Sequence, residues 1–518
     1  MQNLKSMLER GYFPRELPPP FTTSKYAAIL NSYGGSLPPN FLNQKKTAHL
    51  MRHSVPRLGT QRRVLSIPNP ILHFGLCNVI LSNWNDINAH CSSSRFSKTT
   101  PVLNPNRTGQ SVIRRTAESD LLMERVKVRA SARYILRTDI SKCYSSVYSH
   151  SIPWALHGKL KAKSDRSPKL LGNVIDTFVR NNQDGQTIGI PIGPDTSLVI
   201  AEIILSAFDN QITMPLNGFR AVDDFEIGAT SYREAEEILS YVRETLRGFE
   251  LELNDAKTSI IELPAPIEKP WVSTLRNWSF RIGSKGYKTD LSSYFDAVFE
   301  FYRQYSTDYV LSYAITRVGN LERLDKTTWE MLQLYLFQCL AAESGTLRAI
   351  LPIFQDYERK GFTIDRDLLS SILNQQILIS CPLNHANEVT WALWALIYWQ
   401  IPVAADAAHV ISRSGDSLIA LMSLDAAQRG LIASGLNTNL WENVMTVDAL
   451  YGPQWLLSYE ANFRRWLPSL KSPDHVAKDP NFSFLKQQGV SFYDPSKVTG
   501  VKLTKAALSK TTAPMFSF

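Results

Sequence analysis

Apolar residues along the chain follow two rhythms, and the change between them divides it. In the first half, short β-rich runs alternate with helical spacing. Arg63-Val64-Leu65-Ser66-Ile67-Pro68 predicts a strand that stops at proline, and Ile71 to Trp84 predicts a helix. Tyr134 to Ile140 predicts a second strand, with helix around Trp154 to Leu160. Leu198, Val199, Ile203, Leu205, Phe208 and Ile212 recur at helical spacing behind Pro194 and Asp195, which open a helix. Phe219 to Ile227 predicts a hairpin centred on Asp223-Asp224, and Tyr232 to Arg247 another helix. The order strand, helix, helix, hairpin, helix, strand predicts an α+β layer with helices on one face of a sheet.

After Ser292 the strand signal fades. Helical patterns succeed one another at 294–305, 328–342, 367–379, 388–399, 404–412, 418–430 and 455–466. An all-α, helical-repeat-like (HEAT-like) region is the expectation. Three successive prolines, Pro18 to Pro20, exclude regular helix near the start, so residues 1–50 read as an extended arm. The proline cluster Pro264 to Pro270 marks a boundary. The expected organisation is an arm (1–50), an α+β unit (51–285), a helical unit (286–467) and a loosely held tail (468–518).

Composition is that of ordinary globular protein, 44% hydrophobic and 20% charged over 518 residues. The five cysteines are odd in number, widely spaced and lack any Cys-x-x-Cys, which argues against a zinc site or disulfide framework. No apolar run is long enough to cross a bilayer and no signal-peptide core opens the chain, so a soluble cytoplasmic protein is expected. Charge changes the picture more. Between Lys45 and Arg137 there are 16 basic and 4 acidic residues, a surplus larger than the +9 of the whole chain. Such a concentration suits a polyanion.

Three carboxylates carry the candidate chemistry. Asp139 ends a hydrophobic strand, while Asp223 and Asp224 stand together at the hairpin tip. Phosphoryl transfer to a nucleotide uses two divalent ions held by carboxylates on rigid backbone, and this set supplies them. Five residues after Asp139 comes Tyr144, placed to lie under a nucleotide sugar. Gly189-Ile190-Pro191-Ile192-Gly193-Pro194 leads into the Asp195 helix, a turn that lets backbone approach a ligand. Lys257 follows a helix and is well typed to protonate a leaving pyrophosphate. Trp391, Trp394, Tyr398 and Trp399 could stack on bases, but their spacing predicts helix packing instead.

In order and spacing this set resembles the reverse transcriptases across residues 50–285. Asp139 with Tyr144 looks like their motif A, Gly189–Pro194 with Ser197 like motif B, Asp223-Asp224 like motif C, and Lys257 like the motif D lysine. Trp278 is similar to a primer-grip position. Arg62 to Pro70 is similar to the fingers segment whose basic side chain holds the triphosphate, with Arg63 the choice and Arg62 the alternative. The aromatic residue usual two places before the aspartate pair is Ala221 here, which implies a changed contact with the primer end.

The arm Tyr12 to Phe21, the stretch Tyr144 to Trp154 and the helical region in place of a thumb narrow the resemblance to bacterial abortive-infection and "unknown group" defence-associated reverse transcriptases. This resemblance implies a right-hand fingers–palm fold with a helical C-terminal domain. It implies an RNA-directed DNA polymerase of antiphage defence, with two Mg²⁺ (Mn²⁺ the alternative) on Asp139, Asp223 and Asp224. The dNTP contacts it implies are Arg63 or Arg62, Lys142, Tyr144, Gly193 and Ser197. Its implied partners are dNTPs, an RNA template, an associated non-coding RNA or a priming protein hydroxyl, a DNA product and further copies of the chain, without a membrane. A catalytically inactive palm used as an RNA-binding scaffold, and a retron or intron-type enzyme, are the competing readings.

Overall fold

In the computed structural model, residues 2–34, 37–38, 41, 46–57, 61–281, 285–470 and 473–503 are described below. Residues 51–56 (β1) and 62–67 (β2) form an antiparallel pair, Met51 opposite Ile67 and Pro56 opposite Arg62. A second, smaller pair joins 101–103 (β3) to 112–114 (β4). The main sheet is made of 134–139 (β5), 217–221 (β6), 224–229 (β7) and 259–262 (β8), in the spatial order β6-β7-β5-β8. Every pairing in it is antiparallel.

Side chains alternate across this sheet. Leu136, Phe225 and Ile227 point into the main core with Val199 and Ile203 of helix Asp195–Gln211 and Ile238 and Val242 of helix Tyr232–Arg247. Ile135 and Phe219 point the other way and pack on Leu121 and Val128 of helix Glu118–Ala130. The sheet is thus covered on both faces, not one as the sequence pattern suggested. The covering helix was missed because its outward face carries exposed Leu122, Met123 and Val126, which blur the amphipathic stripe.

Two other expectations change. The arm is not extended throughout, because helices Gln2–Arg10 and Ser24–Ser32 flank the proline-rich turn. Its aromatics anchor it. Tyr12 and Tyr26 are fully buried and donate to the carbonyls of Pro68 (2.6 Å) and Pro70 (2.7 Å), just before and at the start of helix Pro70–Ser82. The tail is not loosely held either, up to residue 503; residues 471–472 and 504–518 lie outside the described residues. Phe482, Leu485, Val490, Phe492 and Tyr493 are fully buried, and Phe492 packs on Tyr26 of the arm at 5.3 Å between ring centroids. Polar composition hid these anchors among lysines and serines.

Beyond Tyr287 helix follows helix, as expected. Asp325, Asp365, Asp416 and Asp479 each accept a backbone N–H at a helix start, which explains where those helices begin. Trp391, Trp394 and Trp399 are buried in this region, so packing accounts for them. Buried apolar side chains from the arm, the four-stranded sheet and the helices join in one continuous core. The β1–β2 pair and the helices also share polar contacts. Buried His53 of β1 lies 3.4 Å from Asp416, and Arg62 of β2 grips buried Glu388. Among the described residues no helix is long and apolar enough to cross a membrane.

Candidate active site

The strand register creates the acidic centre. Asp139, last in β5, stands directly opposite Asp224, first in β7. Asp223 occupies the turn between β6 and β7, and its carbonyl accepts the amide of Ile140 at 3.0 Å. The Asn254 amide donates to the Asp139 carbonyl at 2.8 Å, bringing the Lys257 segment to the same end of the sheet. The Lys257 ammonium then donates to Asp139 Oδ2 at 2.6 Å.

Electrostatics at this edge are unresolved by the protein itself. Burial pushes the Asp223 carboxyl above its ordinary value, and the Asp139 charge adds to it. Asp224 is raised by burial, then by Asp223 and Asp139, with Lys257 and Arg125 opposing. Asp139 is almost wholly buried, yet its Oδ1 has no hydrogen-bond partner. An orphaned carboxylate oxygen beside two strained acids fits a divalent cation, which prefers such hard oxygen donors. As the side chains stand, no three His, Cys, Asp or Glu among the described residues enclose a single ion. Lys257 supplies the positive charge on Asp139 in this arrangement, so cation binding requires the carboxylates to turn.

Tyr144 sits in the short helix Cys143–Ser146, half-buried, its carbonyl accepting the Ile190 amide at 2.7 Å. Burial raises its phenol, with the charges of Cys143 and Asp223 adding to the effect. Lys142 before it is exposed and left-handed (φ 47°), with its carbonyl committed to the amides of Ser145 and Ser146. Its neighbours Ser141, Ser146, Arg247 and Glu250 share with it a cavity of about 240 Å³.

Other expected contacts are placed elsewhere. Gly193 (φ 138°) has no room for a ligand at its Cα, since a Cβ there would lie 2.9 Å from Pro14 and 3.2 Å from the Ser66 carbonyl. Glycine is needed because the arm and β2 converge on the turn. Ser197 is buried and donates to the Pro191 carbonyl, so it braces that turn instead of facing a nucleotide. Arg62, the alternative triphosphate ligand, is spent on Glu388 and on Ser54 (2.9 Å). Arg63 remains exposed on β2, opposite Val55. The structure therefore gathers Asp139, Asp223, Asp224, Lys257 and Tyr144, while Arg62, Gly193 and Ser197 are engaged with other parts of the chain.

Sequence reasoning missed two neighbours. Arg114, exposed at the end of β4, is near enough for its charge to oppose the rise of both Asp223 and Tyr144. Glu226, two residues along β7 from Asp224, gathers Arg125 and Arg129 at 3.2 Å and Arg137 at 3.5 Å. Only the basic surplus of this segment pointed to them, without saying which arginines.

A four-stranded antiparallel sheet with acids at one strand end, backed by the Asp195–Gln211 and Tyr232–Arg247 helices, defines a polymerase palm. Residues 75–298 match the family described as "Reverse transcriptase (RNA-dependent DNA polymerase)", so the chain carries a reverse transcriptase domain, the domain of RNA-directed DNA polymerases. No curated protein matches the chain. Among solved structures it is similar to apo telomerase from Candida tropicalis truncated from its C-terminal domain, at 16% identity and a TM-score of 0.30. That match covers 46% of this chain and spans about half, 54%, of the telomerase. Telomerase from Candida albicans in complex with the TWJ fragment of telomeric RNA matches at 12% identity and a TM-score of 0.31, covering 77% of this chain and 65% of that one. Likenesses this loose carry no argument beyond the domain match.

Proposed function

We propose that the protein is an RNA-directed DNA polymerase that joins dNTPs by two-metal phosphoryl transfer, acting in antiphage defence. The observation that carries the polymerase reading is the register that sets Asp139 against Asp224, with Asp223 in the adjoining turn and Lys257 on Asp139. Asp139, Asp223 and Asp224 would hold Mg²⁺ or Mn²⁺. Such ions supply Lewis-acid activation of a hydroxyl and neutralise phosphate charge.

The remaining tasks fall to the chain's own side chains. Lys257, a protonated amine beside the acids, is the proton donor to the leaving pyrophosphate. Tyr144 forms a half-buried floor that excludes a ribose 2′-hydroxyl. Arg63 on β2 and Arg114 on β4 are the candidate triphosphate ligands, since a guanidinium fork matches phosphate geometry. The defence role, with priming from a protein hydroxyl or an associated non-coding RNA and assembly of several copies, is supported by the resemblance of the arm, the Ser151-Ile152-Pro153-Trp154 stretch and the helical region.

The decisive experiment pairs Asp223→Ala with Asp224→Ala and follows labelled dNTP incorporation in Mg²⁺. Loss of incorporation in a folded variant is expected; undiminished synthesis would remove the assignment. Recovering nucleic acid bound to the purified protein, testing it for a covalent link and sequencing it then addresses priming and template.

A further inference from the structure

The turn that carries Asp223 is held in a costly conformation. Val222 is left-handed (φ 58°), and a β-branched side chain rarely adopts that geometry. Such strain persists only where surrounding contacts over-determine it. Both backbone groups of Val222 are in fact fixed by one buried network. Its carbonyl accepts Arg220 Nη1 at 2.7 Å, and its amide donates to Thr99 Oγ1 at 2.9 Å.

Arg220 is wholly buried, and its remaining donors are spent on two acids of helix Asp195–Gln211. Nε and Nη2 reach Asp209 at 3.0 and 2.6 Å, while Nη1 and Nη2 reach Glu202 at 2.9 and 3.2 Å. With the bond to Val222, all five guanidinium N–H groups have work. Thr99 closes the circuit by donating to Glu202 Oε1 at 2.7 Å. The same segment runs beside β6, the Arg220 amide donating to Phe96 and its carbonyl accepting Lys98, and continues directly into β3.

We infer that Arg220 and Thr99 are positioning residues for the catalytic turn: they hold Val222 left-handed, fix where Asp223 and Asp224 stand, and tie that turn to the β3–β4 pair. Both side chains are wholly buried. The inference rests on the polymerase reading for its consequence in synthesis, and on hydrogen bonding alone for its consequence in the turn.

Thr99→Val is the test, because it removes the acceptor for Val222 and leaves every Arg220 pair in place. Amide exchange in a peptide spanning 219–225 should accelerate about tenfold. Half-saturating Mg²⁺ for dNTP incorporation should rise about fivefold, with KM for dNTP within about twofold of the parent, since only the acids are displaced. Thr99→Ser, which keeps the hydroxyl, should restore both. Arg220→Lys, which keeps the charge and loses the fork, should shift both further. Parental exchange rates at the turn in Thr99→Val would overturn the inference. Faster exchange with an unmoved Mg²⁺ requirement would overturn it as well, leaving a merely structural bond. If the parent protein incorporates no dNTP, the polymerase reading falls. Mn²⁺ binding followed by electron paramagnetic resonance then takes the place of the Mg²⁺ requirement, and unaltered affinity in Thr99→Val overturns the inference.

Discussion

Two acidic clusters flank the turn at Val222, and they differ in how completely a cation is bonded to them. Glu202 and Asp209 face a single guanidinium that satisfies them geometrically, both carboxylates being wholly buried. Burial works against ionising both acids: at Glu202 Arg220 and the hydroxyls of Thr99 and Ser97 outweigh it and hold the carboxyl below the ordinary value, whereas at Asp209 burial prevails over Arg220 and raises it. A few residues away, Asp139, Asp223 and Asp224 share one ammonium on one oxygen, and burial with mutual repulsion raises the latter two. A matched buried charge is architecture, whereas an unmatched one marks a place where something is to bind. The contrast separates residues that build the site from residues that work in it.

Substitution should split the two clusters sharply. Replacing the working acids, Asp223→Asn with Asp224→Asn, should cut incorporation by about 10⁴-fold while thermal stability holds or rises, because like charges are removed. Activity assays beside a melting curve read both effects. The matched cluster should behave inversely. Arg220→Met leaves Glu202 and Asp209 facing each other without a cation, and should cost about 3–5 kcal/mol in urea unfolding. Adding Glu202→Gln and Asp209→Asn to that variant should recover part of the stability. A single Arg220→Met variant of parental stability would erase the distinction between the clusters.

Lys257 stands between the two cases, since it pairs with Asp139 yet remains about one-third exposed. Lys257→Met and Lys257→Arg discriminate its roles. Both should slow incorporation about 100-fold if the ammonium is the proton donor, because an arginine does not release its proton. Rescue by arginine would instead make Lys257 a simple counter-charge. Single-turnover kinetics, which isolate chemistry from product release, are the measurement.

What the sequence made legible follows from how local each signal is. The strand ending at Asp139 and the hairpin around Asp223-Asp224 were readable because alternation and turn chemistry lie within a few residues. Tyr144 was readable by its offset alone. Arg63 was preferred to Arg62 without any local sign of what Arg62 does, because its partner Glu388 lies more than three hundred residues away. Gly193 looked like a ligand turn for the same reason: the Pro14 that fills its space arrives from the arm. Arg220 was invisible in the sequence, since its role exists only where β6, the Asp195–Gln211 helix and the Thr99 segment meet. The tail was misread because composition averages over anchors such as Phe492 and Tyr493.

A third buried acid, in the C-terminal helices, sharpens the comparison. Glu460, wholly buried in helix Trp455–Phe463, accepts the Phe492 amide and the Ser491 hydroxyl (3.2 Å), with Arg464 at 3.2 Å. It secures the tail, yet one guanidinium reaching a single carboxylate oxygen and two neutral donors do not match it as Arg220 matches Glu202. Burial accordingly pushes its carboxyl from 4.5 up to about 7, with Arg464 opposing. A carboxyl that binds its proton more tightly when folded stabilises fully below its unfolded value and loses that contribution as pH rises through the folded one. The parent should therefore lose stability from this group between pH 4.5 and 7. Glu460→Gln cannot titrate, so its stability relative to the parent should improve by about 2 kcal/mol between pH 5 and 7.5. Urea unfolding of both proteins across that range measures the difference. A flat difference would mean that Arg464 matches Glu460 as fully as Arg220 matches its acids, and that the tail is clamped by a settled ion pair.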